Sequence, residues 1–221
     1  MVRLCNDSDI LRYEPALFGE IYQANQVLET GQGGELAGTT FEANTADFVS
    51  AGIEPGDVIY LRSADGILDG AFEITAVDSA TQLCVSVLRS DSQGDPIAPP
   101  VSGPVADIFY RISTFRPQIE GVSVRLTEYF GIHPGDANSD YSAEDILDSE
   151  VIRQVCAYRV IATIYAMLAG NGGDERFKDK ISLYERLFEK GRESSRVSLD
   201  ANGDGKADSI RYGGCGRLVR D

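Results

Sequence analysis

The 221-residue sequence is poor in the side chains that most often bind metals. It has one histidine and four cysteines, and Cys5, Cys84, Cys156 and Cys215 form no C-x-x-C pair and have no histidine cluster beside them. Zinc or iron–sulfur ligation is therefore not expected. Spacing alone excludes no disulfide, but a disulfide-built scaffold would be denser in cysteine, so the sequence favours four free thiols in a reducing compartment.

The sequence also lacks a recognisable catalytic motif. Its histidine, His133, stands before Pro134 and Gly135 in a predicted turn, which is typical of a solvated side chain. There is no G-x-S-x-G elbow, no H-E-x-x-H pair and no phosphate-binding G-x-x-x-x-G-K-[ST] loop. We therefore predict that the chain is not an enzyme and has no cofactor. A hydrolase with an acidic cleft is the alternative, and a pocket of carboxylates with raised pKa would indicate it.

Basic residues are scarce. There are 20 lysines and arginines against 35 acidic residues, a net charge of −15, and residues 31–112 hold 12 acidic and 3 basic residues. This balance argues against sequence-specific nucleic-acid binding and against docking on an anionic membrane. The most apolar stretch, Val160 to Ala169, is half the length of a bilayer span. Arg3, Asp7 and Asp9 interrupt any signal-like run, so the sequence predicts a soluble cytoplasmic product.

The hydrophobic period divides the chain into three zones. Residues 7–30 carry apolar side chains at helical spacing, and Gly31-Gln32-Gly33-Gly34 reads as a flexible linker. From there to Ile112 the period is two, with turn residues between the runs. The predicted strands are Glu35–Glu42, Asp57–Arg62, Ala71–Val77, Leu83–Leu88 and Asp107–Ile112. Five short strands at such spacing favour a small antiparallel barrel or curled sheet.

Helical spacing returns in the third zone. One helix is predicted from a Thr114 cap to Gly131, a long one over Ser142–Ala169, and a third from Asp174. We predict an α+β fold in which residues 1–30 and 113–196 form a helical bundle built from both chain ends. Residues 31–112 form an inserted small antiparallel β-domain, barrel-like, because insertion at a loop with close ends is tolerated. Residues 197–221 form an extended C-terminal tail.

One acidic loop resembles the first part of a calcium loop. Asp200, Asn202, Asp204 and Asp208 occupy positions 1, 3, 5 and 9, with glycine at position 6. The twelfth position, where a bidentate glutamate belongs, is Arg211, so we expect calcium affinity no better than millimolar. The alternative is a tight turn in which the aspartates accept hydrogen bonds from backbone amides.

The end of the chain is basic. After Ile210 the chain has three basic residues and one acidic residue, namely Arg211, Arg217, Arg220 and Asp221. A basic, glycine-jointed segment on an acidic body can dock on an acidic neighbour, whereas a solvated, disordered terminus is the equally simple alternative.

Three parts of the chain together resemble one known family. They are the segment Asp9–Phe18, the segment Thr114-Phe115-Arg116-Pro117-Gln118-Ile119, and the stretch from Phe177-Lys178-Asp179-Lys180 through Ser182-Leu183-Tyr184-Glu185 to Val197–Asp208. In this layout the chain resembles the head-to-tail connector (adaptor) proteins of tailed bacteriophages.

The resemblance implies a structural virion protein of the neck, assembled in the host cytoplasm. Such adaptors form a ring, usually twelve-fold, between the portal protein ring and the next neck, stopper or tail protein. Genomic DNA passes through the lumen without sequence-specific binding, and an acidic wall suits that passage. The tail would dock on the portal through Arg211, Arg217, Leu218, Val219 and Arg220, an apolar pair among cations. A calcium-dependent extracellular binding module is the alternative function.

Overall fold

The computed structural model describes residues 3–134, 136, 139–170 and 175–214. The chain divides into two compact units. The barrel unit is Asp7–Phe115, and the helical unit is Met1–Asn6 with Arg116–Asp221.

The barrel unit contains a closed six-stranded antiparallel barrel. Its strands are β1 (Val27–Ala37), β2 (Thr40–Glu42), β3 (Val58–Arg62), β4 (Asp69–Val77), β5 (Gln82–Ser86) and β6 (Val105–Ser113). They pair in the order β1-β2-β5-β4-β3-β6, and β6 closes on β1. Inward side chains alternate with outward ones over the regular stretches of the strands, and register shifts interrupt β1 and β4. Those fully buried inside include Leu36, Ile59, Ile74, Val85 and Ile112.

The predicted linker at residues 31–34 is part of strand β1. A Cβ atom on Gly31 would lie 2.6 Å from the Tyr110 hydroxyl oxygen, and one on Gly34 would lie 2.6 Å from Phe41 Cζ. The rings of Phe41 and Tyr110 pack edge to face with their centroids 5.3 Å apart. These glycines therefore leave room for aromatic rings inside the barrel, and the flexibility inferred from sequence was a misreading of their role.

The predicted bundle built from both chain ends is wrong. Residues 7–30 belong to the barrel unit, where they form a short helix α1 (Asp7–Leu11), two 3-10 turns at Pro15–Leu17 and Ala24–Gln26, and the start of β1. Pro15 prevents a longer helix because it lacks a backbone N–H. The buried apolar residues of this segment are Ile10, Leu11, Leu17 and Phe18, and the ring centroids of Phe18 and Phe115 are 5.3 Å apart.

Arg111 on β6 fixes the segment that follows α1. Its guanidinium group donates to the backbone oxygens of Phe18 and Gly19 at 3.0 and 2.7 Å. It lies 3.6 Å from the ring centroid of Tyr22 and 5.1 Å from that of Tyr60. Burial lowers the pKa of Arg111. These contacts hold Phe18, Gly19 and Tyr22 against Arg111. The apolar residues that precede them therefore pack within the barrel unit and not in a helical bundle.

The helical unit contains α2 (Arg116–Tyr129), α3 (Glu150–Gly170) and α4 (Glu175–Ser194). The long helix predicted from Ser142 begins later, at Glu150, and a separate 3-10 turn spans Ala143–Asp145. Ser142 and Asp145 form a capping box on that turn. The helix starts late because residues 145–148 are hydrogen-bonded to a strand instead.

Helix α3 is the core of the helical unit. By length and composition alone it could cross a membrane, the one such helix in the described part of the chain, but half of its apolar stretch is buried inside the protein. A core helix passes the same test. Its fully buried side chains include Ile152, Cys156, Val160 and Ile161.

The predicted extended tail is wrong for residues 197–212. Strands β7 (Arg196–Leu199) and β8 (Ser209–Tyr212) form an antiparallel hairpin, and Val197 and Leu199 are fully buried. Buried and more exposed residues alternate along β7, as in a strand that packs one face on a core. Packing of that face on the core holds β7 where it pairs with β8. The fold is thus α+β, with a closed six-stranded antiparallel barrel in place of a two-ended bundle.

Candidate functional site

The hairpin belongs to a small sheet in which β7 is the central strand. Beside β7, opposite β8, lies the segment 145–148, with Ile146 bridged to Leu199. Leu147 N donates to Ser198 O at 3.0 Å. The Asp148 carboxylate accepts hydrogen bonds from Ser198 N and Ser198 Oγ at 2.8 and 3.0 Å. The hairpin is therefore held in place on both sides of β7.

One face of this sheet presents apolar side chains to solvent. Leu147, Ser198 and Ile210 lie side by side across the strands, and Arg196 pairs with Tyr212 on the same face. Leu147 is 46%, Ile210 47% and Tyr212 63% exposed. We call these five residues the outer hairpin face. The opposite face buries Val197 and Leu199, so the sheet is apolar on both sides.

The edge of β8 adds backbone hydrogen-bonding groups to this face. Gly213 N donates to Ser195 O at 3.0 Å, one position beyond the pair of Arg196 and Tyr212. Because bonded and non-bonded pairs alternate in an antiparallel ladder, the N–H and C=O groups of Ile210 and Tyr212 point away from β7. Within the described residues β8 pairs with β7 alone. Such an edge is able to accept a further strand.

Helix α4 anchors the end of the hairpin. The Arg192 guanidinium donates to the backbone oxygen of Gly213 and to the Glu189 carboxylate. It also lies 4.5 Å from the ring centroid of Tyr129. Gly213 is buried, and a Cβ atom there would lie 3.1 Å from the Phe130 ring and closer still to the backbone oxygen of Arg192. The hairpin is thus a fixed part of the helical unit up to residue 213.

The acidic loop between β7 and β8 is a backbone-capped turn. The Asp200 carboxylate accepts four backbone N–H bonds, at 2.7 Å from Gly203 and from Gly205, and at 3.2 and 3.3 Å from Asn202 and Asp204. Burial of the carboxylate raises the pKa of Asp200, but these hydrogen bonds outweigh it and hold the pKa below its usual value.

The other predicted metal ligands cap backbone groups in the same loop. Asp208 accepts from Ala201 N at 2.9 Å and from Asn202 Nδ2 at 3.3 Å, and Asp204 accepts from Lys206 N at 2.9 Å. The described residues contain no group of three or more His, Cys, Asp or Glu side chains that could hold a metal ion. These bonds are those of the turn that the sequence allows as the alternative to a calcium loop.

Calcium binding at Asp200, Asn202, Asp204 and Asp208 stays a prediction. Because calcium would have to replace the amide donors around Asp200, and Arg211 stands where a carboxylate belongs, we expect an affinity no better than millimolar. Titration calorimetry checks this value, with Asp200→Asn as the control. Micromolar binding that the control loses would contradict it.

Of the predicted docking residues, the structure describes Arg211. It lies on β8, is exposed, and places its guanidinium 5.4 Å from the ring centroid of Tyr141. Arg217, Leu218, Val219 and Arg220 lie outside the described residues, so their docking role stays a prediction. Sequence reasoning missed the outer hairpin face. The sequence pattern that could have predicted this hairpin is the alternation of apolar and polar residues on both sides of the glycine- and aspartate-rich turn.

Two further aspartates have a pKa below the usual value because they accept hydrogen bonds. A backbone hydrogen bond from Ser50 lowers the pKa of Asp47, and a hydrogen bond from the Ser63 hydroxyl lowers that of Asp65. The hydrolase alternative requires a carboxyl whose pKa is raised.

Comparison of the chain with models of protein families, with curated proteins and with solved structures gives no match.

Proposed function

We propose that the protein is a head-to-tail connector of a tailed bacteriophage, a structural virion protein that forms a ring between the portal and the next neck or tail component. The observation that carries the proposal is the outer hairpin face, which joins exposed apolar side chains to an open strand edge. The resemblance of the chain to the adaptor family names the assembly to which such a surface would contribute.

The distribution of exposed apolar side chains supports self-association through the helical unit. Among the described residues, eleven large apolar side chains are exposed, and seven of them lie in the helical unit. These seven are Tyr129, Leu147, Val151, Met167, Leu183, Ile210 and Tyr212. A ring needs two different complementary patches on each subunit, and the outer hairpin face is one of them in this proposal.

The charge distribution agrees with contacts through the helical unit. The barrel unit has 17 acidic and 4 basic residues, a net charge of −13, whereas the helical unit has 18 acidic and 16 basic residues, a net charge of −2. Like charges oppose contact between barrel units of neighbouring copies. The nearly neutral helical unit has no such barrier. An acidic barrel unit also repels DNA phosphates, so DNA passing through the ring would not adhere to it.

The portal contact is proposed for the end of the chain, after the anchored hairpin. Arg211 marks where the basic segment begins, and residues 217–220 supply an apolar pair between two arginines. An acidic rim around an apolar pocket on the portal is the matching surface.

Self-association is tested with the double variant Ile210→Ser/Tyr212→Ser. Sedimentation velocity over a range of concentrations is expected to show ring-sized species for the unaltered protein and monomer for the variant. The matched control is Ile67→Ser/Ile97→Ser, two side chains of the barrel unit that are 66% and 55% exposed. A control that dissociates like the hairpin variant, or a variant that still forms rings, would contradict the role of this face.

Portal docking is tested by deleting residues 215–221, because Gly213 is part of the anchored hairpin. DNA-filled heads without neck proteins, from a phage that encodes this chain, are expected to bind the full protein and not the truncated one. The melting temperature of the truncated protein should stay unchanged. Docking at the full level after truncation would refute the proposed portal contact.

A further inference from the structure

We propose that Cys5 and Cys156 form a reversible intramolecular disulfide when the protein meets a small disulfide oxidant. Cys5 lies in the segment 3–6 before α1, and Cys156 lies in the middle of α3. Their sulfur atoms are 3.2 Å apart, with the Cys5 thiol donating to the Cys156 sulfur. The sequence alone gives no sign of this approach because the two residues are 151 positions apart.

The surrounding contacts hold the two thiols against each other. Ser123 Oγ accepts a hydrogen bond from Leu4 N at 3.0 Å and lies 3.6 Å from Cys156 Sγ. Ser123 and Cys156 are fully buried, and Cys5 is 5% exposed. A disulfide bond needs sulfur atoms about 2.05 Å apart. Formation of the bond therefore shortens the distance between the two sulfur atoms from 3.2 Å to about 2.05 Å.

Oxidant reaches the pair when the segment 3–6 opens. This segment has no helix or strand of its own, and Arg3 is exposed. The contacts that keep it closed include the hydrogen bond from Leu4 N and a partly exposed ion pair between Arg3 and Glu120 at 3.3 Å. Exposed ion pairs contribute little to stability. Opening exposes Leu4 and Cys5, which are buried in the closed state, but it needs less free energy than global unfolding because only a few residues leave the core.

The reaction then follows thiol–disulfide exchange. In the open state the Cys5 thiolate attacks one sulfur of the small disulfide, forms a mixed disulfide and releases one small thiol. When the segment closes, the Cys156 thiolate attacks Cys5 Sγ, forms the intramolecular bond and releases the second small thiol. The two protein thiols lose two electrons and two protons in total, and the small disulfide gains these electrons and protons as it becomes two thiols.

The bond would fix the beginning of the chain on α3. It closes a covalent loop that contains the whole barrel unit, Asp7–Phe115. Closing a long loop lowers the entropy of the unfolded chain, so the oxidised protein is more stable than the reduced one. This inference does not depend on the proposed function. It predicts a protein that is reduced in the cytoplasm and locked after transfer to an oxidising medium.

The test uses the full chain with Cys84→Ser and Cys215→Ser, which leaves the proposed pair as its thiols. After treatment with oxidised glutathione, intact-mass measurement should show the loss of two hydrogen atoms and no adduct. Peptide mapping should find Cys5 joined to Cys156, and dithiothreitol should reverse the change. The melting temperature should rise by at least about 5 °C.

Two control variants in the same background carry Cys5→Ser or Cys156→Ser. Each is expected to show no crosslink and no oxidant-dependent rise in melting temperature. A stable glutathione adduct on the two-cysteine protein, dimers joined between molecules, or unchanged thiols under conditions that crosslink the denatured chain would overturn the proposal.

Discussion

Aromatic packing inside the barrel depends on glycines that have no side chain to compete for the space. Gly34 faces the ring of Phe41, and Gly31 faces the ring of Tyr110. Any larger residue must displace a ring in a core that is packed to crystal-like density.

We therefore predict that Gly34→Ala destabilises the protein by about 1–3 kcal/mol, because its Cβ atom would lie 2.6 Å from Phe41 Cζ. Gly19→Ala is the control in the same unit, since its Cβ atom would make ordinary contact with Tyr60 at 3.7 Å. Urea denaturation followed by circular dichroism measures both. Equal urea midpoints for the two variants would show that the aromatic rings move aside without a loss of stability, and would contradict the prediction.

Asp200 predicts a pH dependence for the turn. Its pKa in the folded protein lies below the usual value of about 3.9, so its carboxylate stabilises the turn at every pH above that value. The stabilisation is lost as the pH falls through the lowered pKa. Amide resonances of Gly203 and Gly205 should titrate together below pH 3.9, and Asp200→Asn should abolish that titration. A midpoint at or above 3.9 would contradict the hydrogen-bonded capping.

At the scale of the element, the hairpin of β7 and β8 depends for its stability on the segments that pack beside it. A two-stranded hairpin is marginal alone in water. Here β7 has the segment 145–148 on its other side, and Gly213 is held by Arg192 on α4 and by Ser195, which follows that helix. The outer hairpin face therefore has a defined shape before any partner binds.

Gly213→Ala should weaken this anchor. The added Cβ atom would meet the backbone oxygen of Arg192 and the Phe130 ring, which a side-chain rotation cannot relieve. We expect a loss of about 1–3 kcal/mol. Hydrogen exchange should also accelerate at the amides of Val197 and Leu199. Gly121→Ala on α2 is the control, since it has open space and should stabilise by about 0.5–1 kcal/mol. Unchanged exchange in the Gly213 variant would contradict the anchor.

At the scale of the whole molecule, the net charge is concentrated in one unit. The barrel unit has a net charge of −13 and the helical unit −2. Phosphate backbones are attracted by clustered lysine and arginine, which the barrel unit lacks. The molecule as a whole is therefore expected to repel DNA.

We predict no change in fluorescence anisotropy when a labelled 20-base-pair duplex is mixed with the protein at about 50 mM salt. A lysine- and arginine-rich DNA-binding protein serves as the positive control. Binding that weakens as salt is raised would show a basic surface in the assembled protein and would contradict this view of the charge.

Features that depend on neighbouring residues could be read from the sequence alone. The predicted strand Asp57–Arg62 agrees within one residue with β3, Val58–Arg62, and helix α2, Arg116–Tyr129, lies between the predicted limits Thr114 and Gly131. The capping box at Ser142 has the same local origin, because its hydrogen bonds join residues no more than three positions apart.

Where the apolar segments pack depends on contacts that form only in the folded chain. The helical spacing of residues 7–30 is compatible with packing in the helical unit or in the barrel unit. In the folded chain this segment belongs to the barrel unit. Gly31 and Gly34 form a strand because two rings need their space. Cys5 meets Cys156, and Leu147 aligns with Ile210, through pairings between segments far apart in the chain. Such contacts depend on register and shape in three dimensions, which local periodicity does not contain.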